Sequence, residues 1–173
     1  MPKIVFVDKD DNVIGSGTGA EAREKGIIHR IIRIFLFNSK GELLIQKRSK
    51  KVPSPGKWDQ SVGGHVDEGE SYLEAAMREL DEELGITSIP FQEAAKFYTK
   101  NADGEKMIKR FNTLYLGNYD GGIKFNPEET SEVSWITLDE LATWMKEKPQ
   151  DFTRGFITAF DLYLEKHPQS HEN

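Results

Sequence analysis

Cysteine is missing from this chain of 173 residues, and its absence excludes disulfide frameworks, cysteine-ligated zinc, iron–sulfur clusters and thiol catalysis. Long apolar runs are missing as well. No stretch approaches the roughly 20 residues that cross a bilayer, and the apolar run after Met1-Pro2-Lys3 is too short for a signal peptide. With 37% hydrophobic and 30% charged residues, the composition is typical of a globular protein. We therefore expect a cytoplasmic protein without membrane contact, folded as a single domain over residues 1–173.

Basic residues are scarce in one short segment. Between Asp67 and Glu83 there are eight acids and one base, so this segment carries a net charge of −7, whereas the rest of the chain sums to +1. Like charges this close repel each other, and a bound cation would offset the repulsion. A stretch of basic residues without acids, Lys47 to Lys57, lies just upstream. The two segments together indicate an anionic, phosphorylated substrate; two solvated surface faces are the alternative. Nucleic acid is not an expected partner, because the rest of the chain is nearly neutral.

Alternating apolar segments and turn residues predict the order of the elements. The first part, about residues 1–27, is expected to contain an N-terminal β-hairpin. A mixed set of strands and helices follows in a core of about residues 28–148. A final helix is expected over about residues 152–167.

The clearest predicted helix begins after Ser71, where Glu74 completes a capping box, and ends before Gly85. One apolar stripe at helical spacing is expected to face the core: Leu73, Ala76, Met77, Leu80 and Leu84. Arg78 lies one turn from both Glu74 and Glu82, so we expect it to pair with one of these acids.

Three carboxylates fall together on another face of this helix. Glu79, Glu82 and Glu83 stand at positions i, i+3 and i+4, which makes them neighbours. Without a counter-ion they would destabilise the helix, whereas a divalent cation would turn them into a set of hard oxygen ligands. A solvated acidic face is the alternative.

These residues belong to a longer pattern. From Gly64 it reads Gly64-x5-Glu70-x7-Arg78-Glu79-Leu80-x-Glu82-Glu83-x-Gly85-Ile86. This spacing resembles the signature of the Nudix hydrolases, and the resemblance extends over about residues 29–148. It implies an α/β/α sandwich with a mixed sheet, in which the signature forms a loop, a helix and a loop. It also implies Mg²⁺, with Mn²⁺ as an alternative, and a set of catalytic and metal-binding groups: Arg78, Glu79, Glu82, Glu83 and the carbonyl of Gly64.

The same resemblance suggests residues outside the helix. Arg48 and Lys47 are similar in position to the basic residues that face the diphosphate in relatives, and arginine suits a bidentate phosphate contact. A surface charge at a strand end is the alternative. The general base is either a glutamate of the signature or one from the later loop with Glu128, Glu129 and Glu132. We take Glu129 as the loop candidate.

A second resemblance concerns the branch of the family. The stretch from His29 to His65 is similar to isopentenyl-diphosphate isomerase, which shares the Nudix fold. Gly63 occupies the place of the isomerase cysteine, and Ala22 occupies the place of the first of two metal-binding histidines, whereas His29 matches the second. The isomerase residues are thus incomplete and the hydrolase signature is complete. The chain is thus similar to the isomerase-like bacterial branch of the Nudix hydrolases. We expect pocket-lining or structural roles for His29 and His65.

The expected activity is metal-dependent cleavage of a diphosphate linkage. The substrate would be a nucleoside diphosphate, or a nucleoside diphosphate linked to another moiety. The expected partners are therefore small nucleotide-derived molecules, and a homodimer is the assembly that relatives suggest. Two alternatives remain: an isomerase-type enzyme on the same fold, which Gly63 disfavours, and a nucleotide-binding sensor without turnover.

Overall fold

β-Branched and aromatic segments form nine strands within residues 2–168, the part of the chain that the computed structural model describes. Met1 and residues 169–173, the ends of the predicted domain, lie outside it. The elements in chain order are β1 (Ile4–Val7), β2 (Val13–Gly17), α1 (Gly19–Lys25), β3 (His29–Phe37), β4 (Leu43–Arg48), β5 (Trp58–Asp59), β6 (Val62–His65), α2 (Tyr72–Leu84), β7 (Gln92–Asp103), β8 (Lys106–Asn118), β9 (Thr130–Ile136), α3 (Leu138–Glu147), a 3₁₀ turn (Pro149–Asp151) and α4 (Arg154–Lys166). No helix among these is long and apolar enough to cross a bilayer.

Strand β3 is the centre of the sheet. It pairs in parallel with β8 and antiparallel with β1 and β6, and it meets β4 at one antiparallel pair, Phe37 with Leu43. The hairpin partner β2 extends the sheet beyond β1, and β7 extends it beyond β8. Strands β5 and β9 both pair with β4. The sheet is therefore mixed, as expected.

The alternation of side chains along β3 creates two cores. Ile32, Ile34 and Leu36 are fully buried on the face that α2 covers. Phe35 points the other way and packs with apolar residues of α3 and α4, among them Phe156. The predicted α/β/α sandwich, with an N-terminal hairpin and a C-terminal helix, is thereby confirmed.

Helix α2 has the predicted ends but a different buried face. Ser71 and Glu74 form the full capping box, and Gly85 ends the helix in a left-handed conformation with φ of 67°. The predicted apolar stripe is wrong in two members, because Leu73 and Met77 are each 46% exposed. The buried side chains are Tyr72, Ala75, Ala76, Leu80 and Leu84. The centre of the buried face thus lies roughly 60° around the helix from the predicted stripe, since three of the five residues are shared. This rotation brings Glu79 and Glu83 toward the sheet.

Candidate active site

The signature joins β6 to α2 by direct contact between Gly64 and Glu79. A Cβ atom at position 64 would lie 2.3 Å from the Glu79 carboxyl carbon, so only glycine leaves room for this side chain. The Glu79 side chain is 15% exposed as a result. The rotation of α2 and the missing side chain at Gly64 therefore act together to bring one carboxylate against the sheet.

Arg78 connects the acids of the signature to one another. Its Nε donates a hydrogen bond to Glu70 at 2.7 Å, and its Nη1 donates to Glu79 at 2.9 Å and to Glu82 at 3.1 Å. Its Nη2 donates to the backbone carbonyl of His65 at 3.0 Å. One guanidinium thus fixes the loop before α2, the end of β6 and the exposed flank of the helix.

Of the two expected partners of Arg78, the structure shows Glu82. The contact with Glu82 is present, but Glu74 accepts instead from the backbone N–H of Ser71 in the capping box. Much of the repulsion within the acidic segment is therefore offset by Arg78 itself. Its hydrogen bond to Glu70, followed by the charge of Glu79, raises the pKa of Arg78 above its ordinary value.

Glu83 is the acid that Arg78 does not reach. One of its oxygens, Oε1, accepts a hydrogen bond of 3.2 Å from Gln46, while the other, Oε2, is buried and has no hydrogen-bond partner. Burial, followed by the neighbouring charge of Glu79, raises the pKa of Glu83 well above its usual range. Burial also raises the pKa of Glu79. Two carboxylates this close repel each other when both are ionised.

The chemistry of these groups fits a divalent cation. Hard cations take carboxylate and carbonyl oxygens, and Oε2 of Glu83, which accepts no hydrogen bond from the described residues, lies in a side chain next to Glu79. A complete preformed set is absent from residues 2–168, in which no three carboxylate or imidazole side chains converge as a cation site. Glu82, the third predicted carboxylate, is 59% exposed and turned to Arg78. We name Glu79, Glu82 and Glu83 the carboxylate cluster.

The basic residues at the end of β4 have protein partners. The Nε of Arg48 donates to the backbone carbonyl of Pro53 at 2.5 Å, and its Nη1 lies 3.3 Å from Asp59. The ammonium of Lys47 lies 6.0 Å from the centre of the Trp58 ring. Both side chains are partly exposed. Their role in phosphate binding stays a prediction.

The loop with the candidate base lies beside the carboxylate cluster. Glu129 is exposed, and its carbonyl accepts a hydrogen bond from the backbone of Ser49 at 2.9 Å. The next residue, Thr130, is buried and donates its hydroxyl hydrogen to Gln46, the side chain that bonds Glu83. The loop is thus two hydrogen bonds away from Glu83, and Glu129 as the general base stays a prediction.

The other face of the sheet carries a group of polar residues, of which only His29 was singled out from the sequence. Arg33 is 4% exposed; its Nε donates to the Asn112 amide oxygen at 3.0 Å, and its Nη1 donates to the Gln60 amide oxygen at 2.9 Å. Arg110 is partly exposed, and its Nε donates to Nε2 of His29 at 3.2 Å. We name these five residues the guanidinium cluster.

The two glycines of β6 separate the two clusters. A Cβ atom at Gly63 would lie 2.6 Å from the amide nitrogen of Gln60, whereas one at Gly64 would meet Glu79. Successive residues of a strand point to opposite faces, so the carboxylate cluster and the guanidinium cluster lie on opposite faces of β6. The space that a side chain at position 63 would need is thus filled by Gln60.

Burial governs the protonation of the histidines and arginines here. It lowers the pKa of His29 from 6.5 to about 4 and that of His65 to about 4. The two rings lie 5.3 Å apart. Nδ1 of His29 lies 3.1 Å from the carbonyl of Ile27, which makes Nδ1 the donor and leaves Nε2 to accept from Arg110. Burial also lowers the pKa of Arg33 to about 10, which still leaves the guanidinium charged at neutral pH.

Comparison with known proteins agrees with this architecture. The profile of the NUDIX domain matches residues 28–157. An isopentenyl-diphosphate Delta-isomerase of Serratia proteamaculans is 36% identical over 156 residues, covering 90% of this chain and 87% of the relative. An uncharacterized Nudix hydrolase of Pseudomonas aeruginosa is 39% identical over 163 residues, covering 94% and 93%. The crystal structure of DR0079 from Deinococcus radiodurans has a TM-score of 0.74 at 26% identity, covering 96% and 98%.

The chain therefore belongs to the Nudix family, in the branch that also contains relatives named isopentenyl-diphosphate isomerase. The expectation of an enzyme of the pyrophosphohydrolase class is confirmed at the level of the family.

Proposed function

We propose that the protein hydrolyses a diphosphate linkage with the help of a divalent cation. The substrate is a nucleoside diphosphate, or a nucleoside diphosphate linked to another moiety. The observation that carries this proposal is the buried, unsatisfied Oε2 of Glu83 beside Glu79. A buried acceptor without a partner is unfavourable, and a substrate-bound cation would satisfy it.

Each residue of the site has a role in this proposal. Glu79, Glu82, Glu83 and the carbonyl of Gly64 would hold Mg²⁺ or Mn²⁺, which neutralises phosphate charge and acidifies water. Arg78 keeps the acids in position through its contacts with Glu70, Glu79 and Glu82. Two further side chains orient Glu83: Gln46 donates to it, and Thr130 fixes Gln46.

The remaining roles concern water and phosphate. Glu129 would take the proton from the attacking water, since an acidified water needs only a weak base. Arg48 and Lys47 would contact the phosphates at the end of β4. In this arrangement Arg48 would exchange its contact with the Pro53 carbonyl for a phosphate oxygen. We also propose a cytoplasmic homodimer, which light scattering after gel filtration would test.

A panel of substrates tests the reaction. Nucleoside diphosphates and triphosphates, sugar nucleotides, dinucleoside polyphosphates and coenzyme A are incubated with Mg²⁺, with Mn²⁺ and with EDTA, and products are read by phosphate release and mass spectrometry. Metal-dependent cleavage of one class between two phosphorus atoms is the expected result. Tight nucleotide binding without turnover at saturating Mg²⁺ would replace the proposal with a sensor.

Isomerisation is the second candidate because several relatives are named isopentenyl-diphosphate Delta-isomerase. Against it, Gly63 has no side chain to transfer a proton, and Gln60 fills the space beside it. Incubation with isopentenyl diphosphate in deuterated water separates the two activities. We expect no deuterium incorporation and no dimethylallyl product.

A further inference from the structure

The guanidinium cluster buries positive charge without a carboxylate partner. Within residues 2–168, neither Arg33 nor Arg110 forms an ion pair at 4.0 Å or less, although ten other such contacts are present. Their hydrogen-bond partners are two amides and one imidazole, all neutral at pH 7. Buried charges in proteins are usually paired or bound to a ligand.

The nearest acid does not neutralise the cluster. Asp59 attracts both guanidiniums at longer range. Its own oxygens, however, are engaged elsewhere: Oδ2 faces Arg48, and Oδ1 accepts from Thr153 and from the Gln60 backbone. Asp103 also attracts Arg110 at longer range, but it is paired with Arg23. Two carboxylates that are engaged with other residues leave an excess of positive charge on this face of the sheet.

Helix α4 packs directly against Arg33 on this positively charged face. The first turn of α4 approaches Arg33 so closely that a Cβ atom at Gly155 would lie 2.4 Å from its Nη2. Asp59 contacts the start of α4 by accepting a hydrogen bond from Thr153, and its ion pair is with Arg48 instead of Arg33. Arg110 is the more exposed of the two arginines, so an incoming molecule would reach it first.

We propose that the guanidinium cluster binds a second anionic group of the substrate, a phosphate or a carboxylate, on the part beyond the diphosphate that is cleaved. Guanidinium forks match both groups in geometry and charge. The second group is distinct from the cleaved diphosphate because Gly63 and Gly64 turn the two clusters to opposite faces of β6. This inference rests on the proposed function and narrows its substrate class.

Matched pairs of compounds test the inference. Coenzyme A differs from 3′-dephospho-coenzyme A by one phosphate, and UDP-glucuronate differs from UDP-glucose by one carboxylate. Binding of each compound is measured by calorimetry in EDTA, and kcat and KM are measured in Mg²⁺. The wild-type protein is expected to bind the more anionic member of one pair at least about tenfold more tightly. The pair that shows the preference identifies phosphate or carboxylate as the group.

Variants of Arg110 test whether the guanidinium cluster causes the preference for the more anionic compound. Arg110→Gln should remove the preference in EDTA and raise KM for the anionic member with little change in kcat. Arg110→Lys should keep part of the preference, because the charge remains. Arg23→Gln, an exposed arginine paired with Asp103, is the matched control and should keep all of it. Melting temperatures verify that each variant is folded.

The outcomes separate this inference from the proposed function. Equal binding within both pairs by the wild-type protein would overturn the inference, as would a preference that survives in folded Arg110→Gln. Cleavage of the compounds without any preference leaves the proposed function standing and the inference refuted. A preference in EDTA without cleavage of any compound in Mg²⁺ would support the inference and refute the hydrolysis.

Discussion

The two faces of β6 carry buried groups of opposite charge, and these groups have different kinds of hydrogen-bond partner. On the α2 face, the acids are held by Arg78, which donates to three carboxylates within 3.1 Å. On the opposite face, Arg33 and Arg110 are held by neutral amides and an imidazole. On the α2 face, most of the negative charge is therefore matched by Arg78, whereas on the opposite face almost none of the positive charge is matched by an acid in contact with it.

This difference distinguishes two kinds of polar group. Charges that are matched within the protein stabilise the site's own geometry, as Arg78 does for Glu70 and Glu79. Charges without a match, such as Arg33, and acceptors without a donor, such as Glu83 Oε2, are available to a ligand. Four experiments test whether the two faces of β6 differ in this way.

The largest expected effect comes from Glu83→Gln. Hydrolysis should fall by roughly 10²–10³-fold, because the variant loses an anionic ligand for the cation. In EDTA, its melting temperature should stay the same or rise, because an amide replaces a buried carboxyl group whose ionisation is unfavourable there. Asp81→Asn changes an exposed acid of the same helix and is the control for both measurements. A Glu83→Gln enzyme with full activity would contradict the proposed site.

The second effect is on acid stability. Burial lowers the pKa of His29 from 6.5 to about 4, so the unfolded chain binds more protons than the folded one between these values. The free energy of unfolding should therefore rise with pH through this window, by up to about 3 kcal/mol from this group. His29→Asn should lose this part of the pH dependence in urea denaturation between pH 4 and 7. If the free energy of unfolding depends on pH in the same way in both proteins, the fold does not lower the pKa of His29.

The third effect tests whether the Arg78 charge is structural. Arg78→Gln should lower the free energy of unfolding by about 1–3 kcal/mol, because three carboxylates lose their donor. Arg23→Gln, which removes an exposed ion pair with Asp103, should change it by less than about 1 kcal/mol. Chemical denaturation in EDTA gives both values. If both variants lower the free energy of unfolding by the same amount, Arg78 stabilises the fold no more than an arginine in an exposed ion pair.

The smallest expected effects come from adding one methyl group at Gly64 or at Gly63, which tests the two faces of β6 separately. Gly64→Ala should displace Glu79 and lower kcat about tenfold, whereas Gly63→Ala should displace Gln60 and raise KM with kcat nearly unchanged. Steady-state kinetics on the substrate found in the panel measure both. If the two variants change the same parameter, the functions of the two faces are not separate.

The signature was readable from the sequence because its residues are close in the chain. The helix ends at Ser71 and Gly85 follow from local capping chemistry and are confirmed. The rotation of the helix was not predictable in this way. Leu73 and Met77 fit the apolar spacing as well as Tyr72 and Ala75 do, and packing against β6 and the space at Gly64 decide between them.

The guanidinium cluster was missed because it depends on strand register. Arg33 and Arg110 are far apart in the chain and meet only through the parallel pairing of β3 with β8, which places His29 opposite Arg110. One signal was available: Arg33 interrupts the apolar run from Ile31 to Phe37 in the central strand. A charge in such a place indicates either an edge strand or a functional group.

The adjacency of Gly63 and Gly64 has a consequence for insertions and deletions. Because side-chain direction in a strand has a period of two, a shift of one residue in β6 would exchange the glycine that faces α2 for the one that faces Gln60. One position would still hold a glycine, but the other would receive Val62 or His65, so one of the two clusters would lose its space. We expect the exposed loop around residues 50–56 to accept changes of length among homologues, and the four residues of β6 to accept none.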